Sequence, residues 1–135
     1  MTTAVPATAR ALDVSPLFLV PDVVRAAEYY RDRLGFTVTS YYGDPPCFII
    51  VHRDRVYLML KLAEAPGGTR PNGAQGAWDA YLWFNDLDAL REELVSRGAN
   101  VLGAIRTTPY GTRELEVEDA DAYRLCFAQD VPAIG

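Results

Sequence analysis

The sequence predicts an α+β fold made of two copies of one β-α-β-β-β module. The first observation is a change of hydrophobic period in the second half of the chain. Residues 79–84 alternate polar or amphipathic side chains with apolar ones, as a strand with two different faces does. Leucines at helical spacing follow over residues 87–94, after a capping side chain at Asn85 or Asp86 and before a helix-ending glycine at Gly98. This segment is predicted to form a strand, a helix and a second strand.

The second observation is that the same order occurs near the start of the chain. Apolar residues 16–20 lead into Asp22, a segment with helical periodicity runs to Leu34, and Gly35 precedes the strand-like residues 36–39. Two unrelated loops would rarely place an acidic cap, a helix and a C-terminal glycine in the same order. We therefore interpret the chain as an internal duplication.

Length and composition limit the possible classes of protein. A chain of 135 residues is long enough for one well-buried core and too short for two ordinary domains, so the two halves should share one architecture. Half of the residues are hydrophobic and 23% are charged, which is typical of a folded domain. The formal net charge of −5 argues against the basic surface that nucleic-acid binding requires.

Targeting and cysteine patterns favour a cytoplasmic protein that does not enter a membrane. Residues 1–12 are small and polar without a continuous apolar run, so we expect a loose tail and not a signal peptide. No stretch approaches the length that spans a bilayer. Cys47 and Cys126 lie far apart without a C-x-x-C spacing, which indicates neither a disulfide framework nor a zinc site.

In the first half, the elements follow from local signals. Pro21 and Asp22 stop the first strand and cap the helix, and a Gly-Asp-Pro-Pro turn over residues 43–46 precedes a hairpin. The predicted elements are a strand over 14–20, a helix over 23–34, a strand over 36–42, and hairpin strands over 47–52 and 56–62 around residues 53–55.

A linker separates the two halves, because residues 65–76 hold four glycines and two prolines with almost no apolar side chains. The second half then repeats the order with a strand over 79–84, a helix over 86–97, and strands over 100–105, 112–118 and 123–128. The predicted organisation is a tail over 1–12, one domain over 13–129 with modules over about 13–64 and 77–129, and a C-terminal end over 130–135.

Two stretches carry a resemblance to a known family. The first runs from Val20-Pro21-Asp22-Val23 to Tyr29-Tyr30-Arg31-Asp32-Arg33-Leu34-Gly35-Phe36, and the second is Tyr110-Gly111-Thr112-Arg113-Glu114 through Asp119. Over about residues 13–129 the chain resembles the vicinal oxygen chelate superfamily, which contains glyoxalases, extradiol dioxygenases, fosfomycin-resistance enzymes and bleomycin-resistance proteins. The resemblance implies a cupped, incomplete β-barrel with the helices outside and a cavity inside. The family's usual Asp-Pro-x-Gly turn is Asp119-Ala120-Asp121-Ala122 here, so the geometry of this turn is left open.

The resemblance also locates the family's four metal-ligand positions. They fall on Ser15, Met59, Asp79 and Cys126, of which only Asp79 is an ordinary ligand for a hard cation. We therefore expect neither a metal nor another cofactor, and we interpret Met59 and Cys126 as apolar filling of the cavity wall. His52, the only histidine, ends a strand and is interpreted as a surface residue.

Strand alternation predicts which side chains line the cavity. Leu115 and Val117 are expected to face the helix, which leaves Glu114 and Glu116 on the cavity side with several aromatic rings. Rings and carboxylates together would suit a flat, partly cationic ligand. Alternatively, the aromatic residues are core, the glutamates form a solvated strand edge, and Lys61 and Arg124 neutralise the carboxylates. The predicted ligand-binding residues are Tyr41, Phe48, Tyr57, Met59, Asp79, Tyr81, Trp83, Glu114, Glu116 and Arg124.

The lack of ordinary metal-ligating residues and the run from Gly111 to Glu114 make the chain resemble the bleomycin-resistance proteins most. The leading hypothesis is a homodimeric small-molecule binding protein with no catalytic residue; the dimer is expected because each half leaves an open, cupped sheet. One alternative is a glyoxalase-like lyase or a dioxygenase-type metalloenzyme with displaced ligands, such as Asp79 with Glu114 or Glu116. Another is a metal-independent isomerase or cyclase that uses one of these carboxylates as a general base.

Overall fold

The computed structural model describes residues 8–65 and 67–131. The predicted tail over 1–12 and the predicted C-terminal end over 130–135 therefore lie partly outside the described residues, and the domain boundaries stay a prediction. Within the described part, the first module comprises β1 (Leu17–Val20), α1 (Val23–Leu34), β2 (Thr37–Tyr42), β3 (Phe48–Arg53) and β4 (Val56–Leu62). The second comprises β5 (Ala80–Trp83), α2 (Leu87–Ser96), β6 (Asn100–Val101), β7 (Arg106–Thr107), β8 (Thr112–Glu118) and β9 (Arg124–Asp130), after a short 3-10 helix (Asn72–Gln75) in the linker.

Each module forms its own mixed sheet. The first sheet has the strand order β1-β4-β3-β2, in which β1 runs parallel to β4 and the other pairs are antiparallel. The second has the order β5-β9-β8-β6, with β7 also paired to β8 and β5 parallel to β9. The described sheets do not close into a barrel. The predicted duplicated α+β fold is thereby confirmed.

The two helices begin with the same device. Asp22 Oδ1 accepts the Arg25 N–H at 3.1 Å, and Asp86 Oδ1 accepts the Ala89 N–H at 3.1 Å. These carboxylates satisfy one of the free N–H groups of each first turn, so Asp86 and not Asn85 is the second cap. Gly35 ends α1 with φ at +74°, a backbone conformation that glycine adopts without steric cost.

One apolar core joins the two modules. It is built from the helix-facing side chains of both sheets and the inward faces of α1 and α2. A hydrogen bond and an aromatic contact cross the same junction: Tyr30 donates its hydroxyl to Asp119 Oδ2 at 2.7 Å, and the Tyr123 ring stacks on Phe18 with 4.4 Å between the ring centroids. The halves are therefore packed together as one unit.

The predicted strand over residues 100–105 is wrong in its extent. β6 holds only Asn100 and Val101, and the chain then leaves the sheet before β7 pairs with the other end of β8. Gly103 has φ at +88°, which is incompatible with a continuous strand. The interruption matters because it places Arg106 opposite Glu114.

The predicted inward orientation of Tyr41 is also wrong. The register of β2 on β3 shifts between Val38 and Ser40, so Tyr41 pairs with Ile49, whose buried side chain faces the helix. Tyr42 instead pairs with Phe48 on the inner face. An extra residue in one strand reverses the faces of all residues that follow it, and the sequence alternation alone did not reveal it.

No helix of the described residues is long and apolar enough to cross a membrane.

Candidate functional site

The inner face of the second sheet carries most of the predicted site. The register places Tyr81, Cys126 and Glu116 in one row across β5, β9 and β8. The next row places Trp83 and Glu114 on either side of Ala128. Leu115 and Val117 are fully buried on the opposite face, as the alternation predicted.

Glu114 lies fully buried at the centre of this face, although it projects away from the helix side. Its Oε2 accepts the Tyr81 hydroxyl at 2.7 Å and the Tyr110 hydroxyl at 2.8 Å. Its Oε1 accepts Arg106 Nη2 at 2.8 Å. Two phenols and a guanidinium thus cover the carboxylate and leave it no direct route to a ligand.

The protonation behaviour of Glu114 follows from these contacts. Burial alone would raise the pKa of Glu114, but the hydrogen bonds from Tyr81, Tyr110 and Arg106 outweigh it and hold the pKa below its usual value. Burial raises the pKa of Tyr81 to about 12, and its bond to Glu114 adds to the effect, since the phenolate would face a carboxylate. At neutral pH the centre is therefore an ionised carboxylate held by neutral phenols.

Glu116 is the second carboxylate of this face and is also engaged. Its Oε1 accepts Trp78 Nε1 at 2.7 Å and Arg106 Nη2 at 3.1 Å. These donors hold the pKa of Glu116 below its usual range in spite of partial burial, which acts in the opposite direction. Sequence reasoning missed both Trp78 and Arg106. Trp78 precedes the predicted strand over 79–84, and Arg106 follows the predicted strand over 100–105, which Gly103 interrupts.

The Asp79 carboxylate holds two backbone segments together. Its Oδ1 accepts the Asn72 N–H at 2.9 Å and its Oδ2 accepts the Arg124 N–H at 2.8 Å. The carboxylate therefore ties the linker's 3-10 helix to β9. Arg124 lies beside Glu116 on the inner face, and its guanidinium packs against Gly73 of the linker, where an added Cβ would come within 3.4 Å of Nε.

A crevice of about 370 Å³ runs between the two modules, along β5. One wall is β5 with Asp79, and the other is formed by the chain before β1, by Arg55 of the turn before β4 and by the first residues of β4. Four predicted site residues meet here: Tyr57, Asp79, Tyr81 and Trp83. Trp83 is 56% exposed, so its indole is available to a ligand. The full lining is Asp13, Val14, Pro16, Arg55, Val56, Tyr57, Leu58, Asp79, Ala80, Tyr81, Leu82 and Trp83.

The other predicted residues do not line this crevice. Phe48 and Met59 lie on the inner face of the first sheet, where the register also places Lys61 opposite Phe48. Tyr41 lies on the helix side of that sheet, and Glu114, Glu116 and Arg124 form the polar layer of the second sheet.

His52 is placed differently from the prediction of a surface residue. It is half-buried on the inner face of the first sheet, its ring stacks on Tyr57 at 5.0 Å, and its Nδ1 is hydrogen bonded to Thr39. The bulge of β2 brings Thr39 to it, which the sequence pattern does not reveal.

Comparison with known proteins connects this architecture to one family. The sequence profile described as Glyoxalase/Bleomycin resistance protein/Dioxygenase superfamily matches residues 14–127. The chain belongs to this superfamily. The predicted resemblance is therefore confirmed, while the search of curated proteins returned no match.

Solved members of the superfamily share the fold at low sequence identity. The bleomycin resistance determinant encoded on transposon Tn5 is 19% identical with a TM-score of 0.71, covering 89% of this chain and 98% of its own. The bleomycin-binding protein of Streptomyces verticillus, solved with copper(II)-bleomycin, is 22% identical with a TM-score of 0.67, covering 93% and 100%. A superfamily member from Sphaerobacter thermophilus DSM 20745 is 22% identical with a TM-score of 0.72, covering 90% and 98%. At these identities the likeness shows the fold alone.

The residues at the superfamily's metal positions do not fit a divalent ion. Both oxygens of Asp79 already accept backbone N–H groups. Burial raises the pKa of Cys126 to about 12, and the neighbouring Glu114 carboxylate adds to the shift, so the thiol keeps its proton. Ser15 and Met59 offer only a hydroxyl and a thioether. Over residues 8–65 and 67–131, no three His, Cys, Asp or Glu side chains gather as a potential metal site.

Proposed function

We propose that this protein is a metal-independent small-molecule binder that holds a flat aromatic ligand in the crevice along β5 and does not transform it. The observation that carries the proposal is the exposed indole of Trp83 in a crevice that it shares with Tyr57 and Tyr81. A volume of about 370 Å³ is within the range of small-molecule sites, which are mostly apolar and aromatic.

The ring geometry supports stacking. Tyr81 lies between Trp78 and Trp83, with centroid distances of 5.1 Å to each. The inner rings are therefore held by their neighbours, and Trp83 presents its free side to the crevice. A planar ligand on that side would add an aromatic contact, which is typically worth about 0.5–1.5 kcal/mol beyond its buried area.

The state of the carboxylates supports binding over catalysis. A general base must reach the proton that it removes, by a direct hydrogen bond or through one water molecule. Glu114 is enclosed by three donors, Glu116 by two, and Asp79 by two backbone N–H groups. The fold shared with the bleomycin-binding protein, whose structure holds copper(II)-bleomycin, is a further argument for a ligand-holding role.

Binding is tested by calorimetry and tryptophan fluorescence with 1-naphthalenemethanol and with metal-free bleomycin as probes. Saturable binding and a change in emission are expected for at least one probe. Trp83→Phe, which keeps Trp78 as the only indole, should lose most of the emission change, and calorimetry then separates a lost reporter from lost affinity. Mass spectrometry of the recovered probe should find it unchanged. Absence of saturable binding, or conversion of the probe, would overturn the proposal.

Metal independence is tested on the same protein. Elemental analysis should find no stoichiometric divalent ion, and a chelator should leave the melting temperature unchanged, because the available donors cannot supply the binding free energy that couples metal to folding. About one zinc, nickel, iron or manganese per chain would instead favour the metalloenzyme alternative.

A further inference from the structure

The charged side chains of the crevice differ in how much hydrogen-bonding capacity they have left. Three of them line it: Asp13, Arg55 and Asp79. Asp79 is used on both oxygens by backbone N–H groups, and Asp13 Oδ1 accepts the N–H of its neighbour Val14 at 3.0 Å. Arg55 makes no hydrogen bond or ion pair with any residue that the structure describes, so all five of its N–H donors are open.

Arg55 lies at the end of the crevice where Trp83 is exposed. A second, adjoining depression is lined by Arg53, Asp54, Phe84 and Asn85, and it shares Arg55, Val56 and Trp83 with the main crevice. Arg53 is not available there, since its guanidinium binds the Leu34 carbonyl and both oxygens of Glu93. The free cation beside the indole is therefore Arg55.

The acidic groups that the sequence assigned to a cationic ligand either lie outside the crevice or, like Asp79, are already hydrogen bonded on both oxygens. Glu114 is fully buried beneath Tyr81, Tyr110 and Arg106, and neither Glu114 nor Glu116 lines the crevice. Among the described residues that line the crevice and the adjoining depression, two further carboxylates keep open oxygens: Asp13, on its second oxygen, and the exposed Asp54. Neither is paired with Arg55.

We propose that the ligand is a planar aromatic acid, which stacks on Trp83 and places its carboxylate or another anionic group on the Arg55 guanidinium. This inference rests on the proposed binding function and reverses the charge expected from the sequence. The planar guanidinium can donate two parallel hydrogen bonds to a carboxylate, which fixes orientation as well as charge. A ring edge held at Trp83 would bring such a group within reach of the adjacent arginine.

The test compares three probes with one ring system: 1-naphthoate, neutral 1-naphthalenemethanol and 1-naphthylmethylammonium. Calorimetry at pH 7 and low salt measures each dissociation constant for the full chain. We expect 1-naphthoate to bind about tenfold more tightly than the alcohol, and the ammonium probe most weakly, as one charge-assisted hydrogen-bonded contact predicts. Arg55→Gln should bring the naphthoate affinity down to that of the alcohol while the alcohol is unaffected.

Two matched variants identify the responsible charge. Arg70→Gln removes an exposed arginine of the linker that does not line the crevice, and it should leave all three affinities unchanged. Asp13→Asn should keep or increase the preference for naphthoate. A preference for the ammonium probe that Asp13→Asn abolishes, or equal binding of all three probes, would overturn the aromatic-acid inference and leave the binding function intact. Failure of every probe to bind would overturn both.

Discussion

Glu114 is a charged side chain with no exposed surface, and it owes its stability to the donors around it. A buried carboxylate without partners would cost several kcal/mol. Here the donors come from three separate places, namely β5, the turn before β8 and β7. The residue therefore connects three parts of the second module, one of which is the two-residue β7.

Replacement of Glu114 by Gln should destabilise the fold by about 2 kcal/mol, because the amide cannot accept all three donors and no longer balances Arg106. The measurement is the free energy of unfolding in urea at pH 7. Glu116→Gln is the control, and its smaller expected loss reflects a side chain that is 18% exposed.

The effect should also depend on pH. The folded-state pKa of Glu114 lies below its unfolded value, so its contribution is present above the unfolded pKa and is lost as the pH falls through the folded one. The difference between wild type and Glu114→Gln should therefore narrow on acidification. A constant difference from neutral to strongly acidic pH would show that the loss comes from packing and not from the ionised carboxylate.

The turn between β8 and β9 shows how one element compensates for a missing glycine. Asp119 Oδ1 accepts the N–H groups of Asp121 at 2.8 Å and Tyr123 at 2.9 Å, and these bonds shape the turn from inside. Ala122 nevertheless has φ at +68°, in the left-handed region that disfavours residues with a Cβ. The turn geometry that the sequence left open is thus formed at the cost of local strain.

Ala122→Gly should raise the free energy of unfolding by about 0.5–1 kcal/mol, the relief of strain being partly offset by the greater freedom of glycine in the unfolded chain. Ala120→Gly, two residues earlier without a positive φ, should lower it instead. Thermal and urea unfolding measure the stability of both variants against the wild type. A loss of stability in both would mean that the strain at Ala122 has no energetic effect.

The same turn links β8 and β9 to α1 through a second carboxyl oxygen. Asp119 Oδ2 accepts the Tyr30 hydroxyl, and burial raises the pKa of Asp119 to about 6 against the hydrogen bonds from Tyr30, Asp121 and Tyr123. A raised folded-state pKa stabilises the protein below the unfolded pKa, and this contribution is lost as the pH rises through about 6.

Wild-type protein should therefore lose roughly 2–3 kcal/mol from this group between pH 4 and pH 7. Asp119→Asn keeps one oxygen for the N–H groups of Asp121 and Tyr123, and its NH2 group can donate to the Tyr30 hydroxyl oxygen, so the variant should remove most of that slope. Urea unfolding across this pH range tests the expectation, with Asp88→Asn as an exposed control on α2. An unchanged slope in Asp119→Asn would assign the pH dependence to other groups.

At the scale of the whole molecule, the inner faces of the sheets are less covered than the helix faces. Exposed apolar or aromatic side chains on these faces are Leu17, Leu19, Tyr42, Tyr57 and Trp83. Exposed apolar side chains gathered on one face of a sheet are typical of an interaction site. The predicted homodimer would cover it and enclose the crevice.

Sedimentation equilibrium at micromolar concentration should find a dimer, and Leu17→Asp should shift it to monomer while circular dichroism stays unchanged. Val95→Asp is the matched control, since Val95 is about equally exposed but lies on α2. A wild-type monomer at these concentrations would contradict the prediction.

The sequence predicts best where the signal is local. The bounds of α1, β4 and β8 match the predictions because caps, glycines and alternation mark them directly. The burial of Glu114 was not predictable in this way, since its cover comes from Tyr81 and Tyr110, and a hydroxyl donor distant along the chain leaves no periodic trace. The position of Arg106 depends on the positive φ of Gly103, and composition does not specify that angle.

The bulge at Thr39 decides which of two adjacent tyrosines lies beside Phe48. The residues before it keep their orientation, so Val38 stays packed toward the helix whatever follows. If the register before the bulge continued through Thr39 to the end of β2, Tyr41 would lie opposite Phe48 and Tyr42 would move to the helix side, without altering any core side chain of β3. A deletion of Thr39 would instead remove the unpaired residue and leave Tyr42 opposite Phe48, so a relative that is one codon shorter at this point would keep the same face of β2 toward the inner side.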